Sequence, residues 1–238
     1  MLYHIYDAWQ TALAPARLTA EATKNALQNP LSPFAYLPAA RTVAASCELF
    51  ERTTRKFGKP EFGLHSTKID GKTVKVTEEI IDEKPFCTLT HFKRHTKRKD
   101  PQILIVAPMS GHFSTLLRGT VEALLPNHEV YITEWIDARL VPLREGRFNL
   151  DDYTAYVMDF IKILGPDTHV MAVCQPAVPV FMAVAIMNAQ NDKNTPKSMT
   201  LMGGPIDPRV SKTAVTELAE QRPLSWFEQS VVTNVPFY

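Results

Sequence analysis

Two hydrophobic periods divide the chain. Over residues 1–58 apolar positions recur every three or four residues, with Pro15, Pro30, Pro33 and Pro38 as punctuation, the spacing of a buried helical stripe. The longest piece, 39–57, runs up to Gly58, a residue suited to a C-terminal cap. Beyond it the period becomes two. Residues 64–69, 73–80 and 86–92 read as strands, with Asp70-Gly71 between the first two; an Asp-Gly pair tolerates the positive φ of a tight hairpin turn. Farther on, apolar runs at 103–107, 130–134, 170–173 and 198–202 alternate with helical stretches at 114–125, 150–164 and 177–189, as βαβ units do. Asp151 and Asp152 open the second of these helices, where the positive end of the helix dipole favours carboxylates. The pattern predicts an α/β chain with a mostly parallel sheet, a helical segment over 1–60 preceding an α/β domain over 61–238.

Composition narrows the function classes. A net charge of +1 gives no global field for nucleic acid or an anionic membrane. The one dense basic run, 93–99, has no aromatic interleaving and reads as a solvated loop. Cys47, Cys87 and Cys174 are far apart, without disulfide or zinc-ligand spacing, which suits a reducing cytoplasm and predicts no metal. The N-terminus lacks the basic and apolar regions of a signal peptide. The twenty uncharged residues 170–189 meet the length of a membrane span, but contain Pro176 and Pro179, which would break its backbone ladder. A buried strand followed by a buried helix fits them better. With nine glycines and no Gly-rich phosphate loop, no nucleotide cofactor is expected.

The chemistry concentrates where that strand meets that helix. His169-Val170-Met171-Ala172-Val173-Cys174-Gln175-Pro176-Ala177 passes from an apolar strand through a cysteine into an apolar helix, the context of a nucleophile elbow. Small residues flank such a nucleophile because the turn brings backbones together; Ala172 and Pro176 hold those places. Proline is tolerated there because first-turn amides lack helical partners, and a helix N-terminus favours a thiolate. Acyl transfer also needs donors for the developing oxyanion: the N–H after the nucleophile, Gln175, and one from the loop after an earlier strand, Met109 first and Ser110 next. His112 in that loop and Asp207 after the last strand are accessory candidates. Without further support, a lone intracellular cysteine is more often a buried structural group. That is the reading of Cys47 and Cys87, while Asp207-Pro208 is also an ordinary turn signal.

The chain resembles the intracellular polyhydroxybutyrate depolymerases. The resemblance rests on Ala107-Pro108-Met109-Ser110-Gly111-His112, Ala172-Val173-Cys174-Gln175-Pro176, Leu201-Met202-Gly203-Gly204-Pro205-Ile206-Asp207 and Leu2-Tyr3-His4-Ile5-Tyr6-Asp7. It implies an α/β-hydrolase fold, Cys174 as nucleophile, and hydrolysis or thiolysis of 3-hydroxybutyrate polyester in cytoplasmic storage granules. The implied partners are the polymer or granule surface, with coenzyme A as a candidate acyl acceptor. The resemblance implies that the acid and histidine lie downstream of residue 238. All seven histidines precede Cys174, against the nucleophile, acid, histidine order of the fold, so a sheet incomplete at its C-terminal end is expected. Two rivals stand beside this reading: a polyhydroxyalkanoate synthase-like acyltransferase, whose cysteine usually has glycine neighbours, and a non-catalytic granule-binding fragment. The aromatic residues Trp226, Phe227, Phe237 and Tyr238 read as packing groups or as contacts for an apolar polymer.

Overall fold

The computed structural model describes residues 2–109, 113–210 and 212–232. The chain divides into two compact units, one holding Lys59–Lys212 and the other formed by the chain on either side of it. In the latter lie helices α1 (Leu2–Ala12), α2 (Ala14–Gln28) and α3 (Pro38–Thr54), and near the C-terminus α7 (Ala214–Gln221) and α8 (Leu224–Ser230). Arg17 fastens the first three together, donating to the Gln10 side chain at 3.0 Å and the Thr54 carbonyl at 2.8 Å. Helix α3 stops at Thr54, ahead of the expected cap at Gly58: Arg55 is extended at ψ 153° and its guanidinium sits 4.4 Å from the Phe57 ring centre.

The central unit is one seven-stranded sheet: β1 (Ser66–Ile69), β2 (Lys72–Lys84), β3 (Cys87–Arg94), β4 (Gln102–Val106), β5 (Glu129–Trp135), β6 (Thr168–Val173) and β7 (Ser198–Met202), in the order β1-β2-β3-β5-β4-β6-β7. The Asp70-Gly71 turn has φ values of 49° and 77°, as a tight hairpin of this type demands. β2 runs four residues past its expected end, with an irregularity between Ile80 and Asp82, before a two-residue turn leads into β3. β1 and β3 are antiparallel to their neighbours, while β5, β4, β6 and β7 pair in parallel. Five of the seven strands therefore point one way, the mostly parallel α/β-hydrolase sheet expected from the sequence.

Helices cover both faces. Leu104 and Val106 of β4 point into a core with α5 (Leu150–Leu164) and α6 (Ala177–Ala189); Ile103, Ile105 and Ala107 point the other way, towards Val121 of α4 (Arg118–Leu124) and Leu125. Burial on both faces explains the unbroken apolar runs of the central strands. α5 carries a capping box in which the Asn149 side chain accepts from Asp151 and Asp152 backbone amides and Asp152 returns the bond. The uncharged 170–189 stretch is β6 plus α6, and no described helix is long and apolar enough to cross a membrane.

The basic run is a correction. Lys93 and Arg94 belong to β3, and Arg94 can be buried because Asp100 of the following loop and Glu129 of β5 supply its counter-ions. Its guanidinium lies 2.8 Å from Asp100 Oδ2, 2.5 Å from Glu129 Oε1 and 3.1 Å from the Leu125 carbonyl. Arg98 pairs with Asp100 and Asp70. Burial alone would raise the Asp100 and Glu129 carboxyls; hydrogen bonds from Arg98 and Arg94 to the former, and from His91 and Arg94 to the latter, bring both below the usual carboxylate range. Their stabilising contribution is therefore present above the unfolded values of about 4 and is lost as pH falls through the depressed folded values. Replacing Arg94 with Met should cost about 1–3 kcal/mol at pH 7, because two half-buried carboxylates each lose one partner. Urea unfolding at pH 7 and again at pH 3 checks this; the penalty should shrink in acid.

Candidate active site

β4 and β6 are parallel neighbours, with Val106 opposite Ala172, so the segments following them leave the same edge of the sheet. After β6 the chain turns through Cys174, Gln175 and Pro176 into α6, as expected for an elbow. Cys174 has φ +68°, a left-handed conformation that costs a residue with a Cβ roughly 1–2 kcal/mol. Its surroundings hold it there. The Cys174 amide donates to the Met202 carbonyl at 2.7 Å, extending the pairing with β7, and its carbonyl accepts from the Ala177 amide at 3.1 Å. The side chain is exposed. Pro176 occupies the N-cap and Pro179 the first turn of α6, where a missing N–H breaks no helical bond.

The close approach at this turn involves residues the motif did not single out. A Cβ on Gly204 would lie 2.0 Å from Ala177 Cβ and 2.8 Å from the Cys174 carbonyl oxygen. Ala172 is buried as expected, but the tightest contact runs between Ala177 and Gly204. The available signal was the Gly203-Gly204 pair straight after the last apolar run, together with the small residue opening the helix.

The segment after β4 is fixed at its base. Ala107 donates its N–H to Thr133 Oγ1 at 2.9 Å and accepts at its carbonyl from Trp135 Nε1 at 2.8 Å. On the far side, Ser114 Oγ donates to Glu134, whose carboxylate also meets Lys59 Nζ at 2.8 Å. Met109 and Gln175, 66 residues apart, come together: the Met109 N–H donates to Gln175 Oε1 at 2.9 Å. Met109 also lines a cleft of about 580 Å³ walled by Phe86, Phe113, Trp135 and Phe148. Asp137 and Arg139, paired with each other, provide its polar groups. Cys174 is not among the lining residues, so Met109 is the group common to cleft and elbow.

Ser110 and His112 lie outside the described residues, as do Phe237 and Tyr238. Asp207 is in a turn, its carboxylate held by Arg209 through contacts of 2.8 Å that keep it below the usual range; it is committed to that arginine. The other histidines of the central unit gather at the opposite edge of the sheet. His169 begins β6, five residues before Cys174 and so about 16 Å away at strand rise. His91 pairs with Glu129 at the start of β5, His128 precedes it, His95 follows β3 and the His65 carbonyl bonds Val76 beside that same end. None of these can serve the thiol. Cys87 is fully buried, and burial pushes its thiol up; Cys47 is half-buried in α3. Among the described residues no group of three His, Cys, Asp or Glu side chains is placed to hold a metal.

Residues 203–238 match the family model described as PHB de-polymerase C-terminus. No curated protein sequence matches the chain. Solved structures with similar folds include the naproxen esterase of Bacillus subtilis, 12% identical over 53% of this chain and 42% of that one, with a TM-score of 0.38. Another is a putative esterase from Staphylococcus aureus, 14% identical over 83% and 61%, TM-score 0.44. A third is LAE6, an alpha/beta hydrolase from the metagenome of Lake Arreo, Spain, determined as a mutant, 12% identical over 93% and 70%, TM-score 0.45. The chain thus spans less than two thirds of the first two. These scores add nothing to the fold, which rests on the strand order and the elbow.

Two substitutions probe the elbow. Cys174→Gly should unfold about 2–4 °C above Cys174→Ala, since only glycine escapes the left-handed penalty; equal melting temperatures would contradict strain at this position. Gly204→Ala should cost about 1–3 kcal/mol, because its new methyl meets backbone and Ala177.

Proposed function

We propose that the chain, whose residues 203–238 match the model described as PHB de-polymerase C-terminus, acts as an intracellular polyhydroxybutyrate depolymerase with Cys174 as its nucleophile. The observation that carries this reading is the exposed cysteine in a left-handed turn between β6 and α6. Such strain is retained where a fold positions a reactive group.

The Cys174 thiolate attacks the carbonyl of a 3-hydroxybutyrate ester. A carbon–sulfur bond forms, and the carbonyl electron pair moves onto oxygen, where the backbone N–H groups of Gln175 and Met109 receive it. Collapse expels the neighbouring unit as its alcohol after protonation, leaving a thioester on the enzyme. Water or a second thiol then takes the hydroxyacyl group. The general acid and base is a group other than the five described histidines of the central unit, all of which face the opposite edge of the sheet. The aromatic cleft beside Met109 suits the methyl-bearing chain of a hydrophobic polyester, which needs apolar contact area more than charge. Ala172 and Pro176 beside the cysteine favour the depolymerase over a synthase with glycines at those places.

Amorphous polyhydroxybutyrate granules incubated with the full-length protein should release soluble hydroxybutyrate, and Cys174→Ala should lower the rate by at least a hundredfold. Equal release from both forms would refute the nucleophile assignment.

A further inference from the structure

The Met109 amide has two claims on it. The acyl-transfer reading, on which this inference rests, assigns it to the oxyanion, yet it already donates to Gln175 Oε1 at 2.9 Å. Gln175 thus stands on both sides of the site: its backbone N–H is the second oxyanion donor and its side chain occupies the first. We infer that the Gln175 carboxamide is a displaceable stopper, which fills the oxyanion position while the site is empty and must leave before an ester carbonyl can enter.

The surroundings give the stopper a purpose. Met109 lines an apolar, aromatic cleft, where an unpaired N–H would be costly. Ala107, two residues before Met109, is held at both backbone polar groups by Thr133 and Trp135. Gln175 belongs to the elbow, is half-buried, and has rotatable side-chain bonds. Swinging the carboxamide away frees a donor that is already aimed. Binding then carries the cost of a site that is only fractionally open: the apparent dissociation constant is the intrinsic one divided by the open fraction. The stopper acts on substrate entry and leaves the rate of the occupied site alone. Gln175 is in this sense a positioning residue through its side chain, distinct from the role of its backbone.

Pre-steady-state kinetics with p-nitrophenyl butyrate separate entry from chemistry. The Cys174 sulfur forms a thioester bond, the aryl ester C–O bond breaks, and its electron pair leaves on p-nitrophenolate, which is read directly. For Gln175→Ala the ester concentration giving half the maximal acylation rate should fall about 5–10-fold. For the near-isosteric Gln175→Glu it should rise at least tenfold, because a carboxylate holds the Met109 N–H through a charge-assisted bond. A brace that merely orients Met109 gives the opposite result for Gln175→Ala, a slower maximal rate at unchanged half-saturation, and this overturns the stopper alone. Release that persists in Cys174→Ala overturns the nucleophile reading and the stopper with it. Independently of turnover, NMR on protein labelled with 15N-methionine should show the Met109 amide exchanging with solvent about tenfold faster in Gln175→Ala. Unchanged exchange would overturn the inference.

Discussion

The site depends on one tight contact, the approach of Gly204 to Ala177 and to the Cys174 carbonyl. That contact lets the segment after β7 lie against the first turn of α6, while the Met202 carbonyl holds the Cys174 amide. Between these restraints the cysteine stays left-handed, and its side chain projects to solvent instead of joining the core. A larger residue at either partner position would move the helix start, and with it the nucleophile. The strained residue is thus sustained by a neighbouring strand and helix, as local strain at functional positions must be.

A second set of bonds keeps the facing segment in register with this turn. Thr133 and Trp135, both from β5, hold the two polar groups of Ala107, and Glu134 between them reaches Ser114 and Lys59. Three consecutive residues of one strand therefore brace both sides of the segment that contains Met109. The aromatic group around Trp135, with Tyr153 at 4.3 Å and Phe148 at 5.8 Å, gives the brace mass and walls the cleft at once.

Much of this was legible in the sequence. Helices over 150–164 and 177–189 and the last strand over 198–202 have the bounds that periodicity gives them, because charge, capping residues and prolines mark their ends. The Asp70-Gly71 hairpin followed from turn chemistry, and the elbow from a strand that runs through a cysteine into a helix. What escaped depends on contacts between distant segments. Arg94 sits in a basic run, and only the fold brings Asp100 and Glu129 to it. The Gln175 side chain meets a residue 66 positions away. Gly204 is close to Ala177 only because β7 pairs beside β6. The end of α3 at Thr54 is set by an extended Arg55 stacked on Phe57, a local preference weaker than the glycine signal at 58 suggested.

The central unit joins an exposed thiol, a Met109 amide bonded to the Gln175 side chain and an apolar cleft, and keeps its described histidines on the far edge of the sheet. The measurement that bears most directly on this site is peptide-mapped mass spectrometry after rapid acid quench of the protein with the thiophenyl ester of 3-hydroxybutyrate. The account predicts a hydroxybutyryl thioester on the peptide containing Cys174 and on neither of those containing Cys47 and Cys87. Equal labelling of the three cysteines, or none at Cys174, would contradict it.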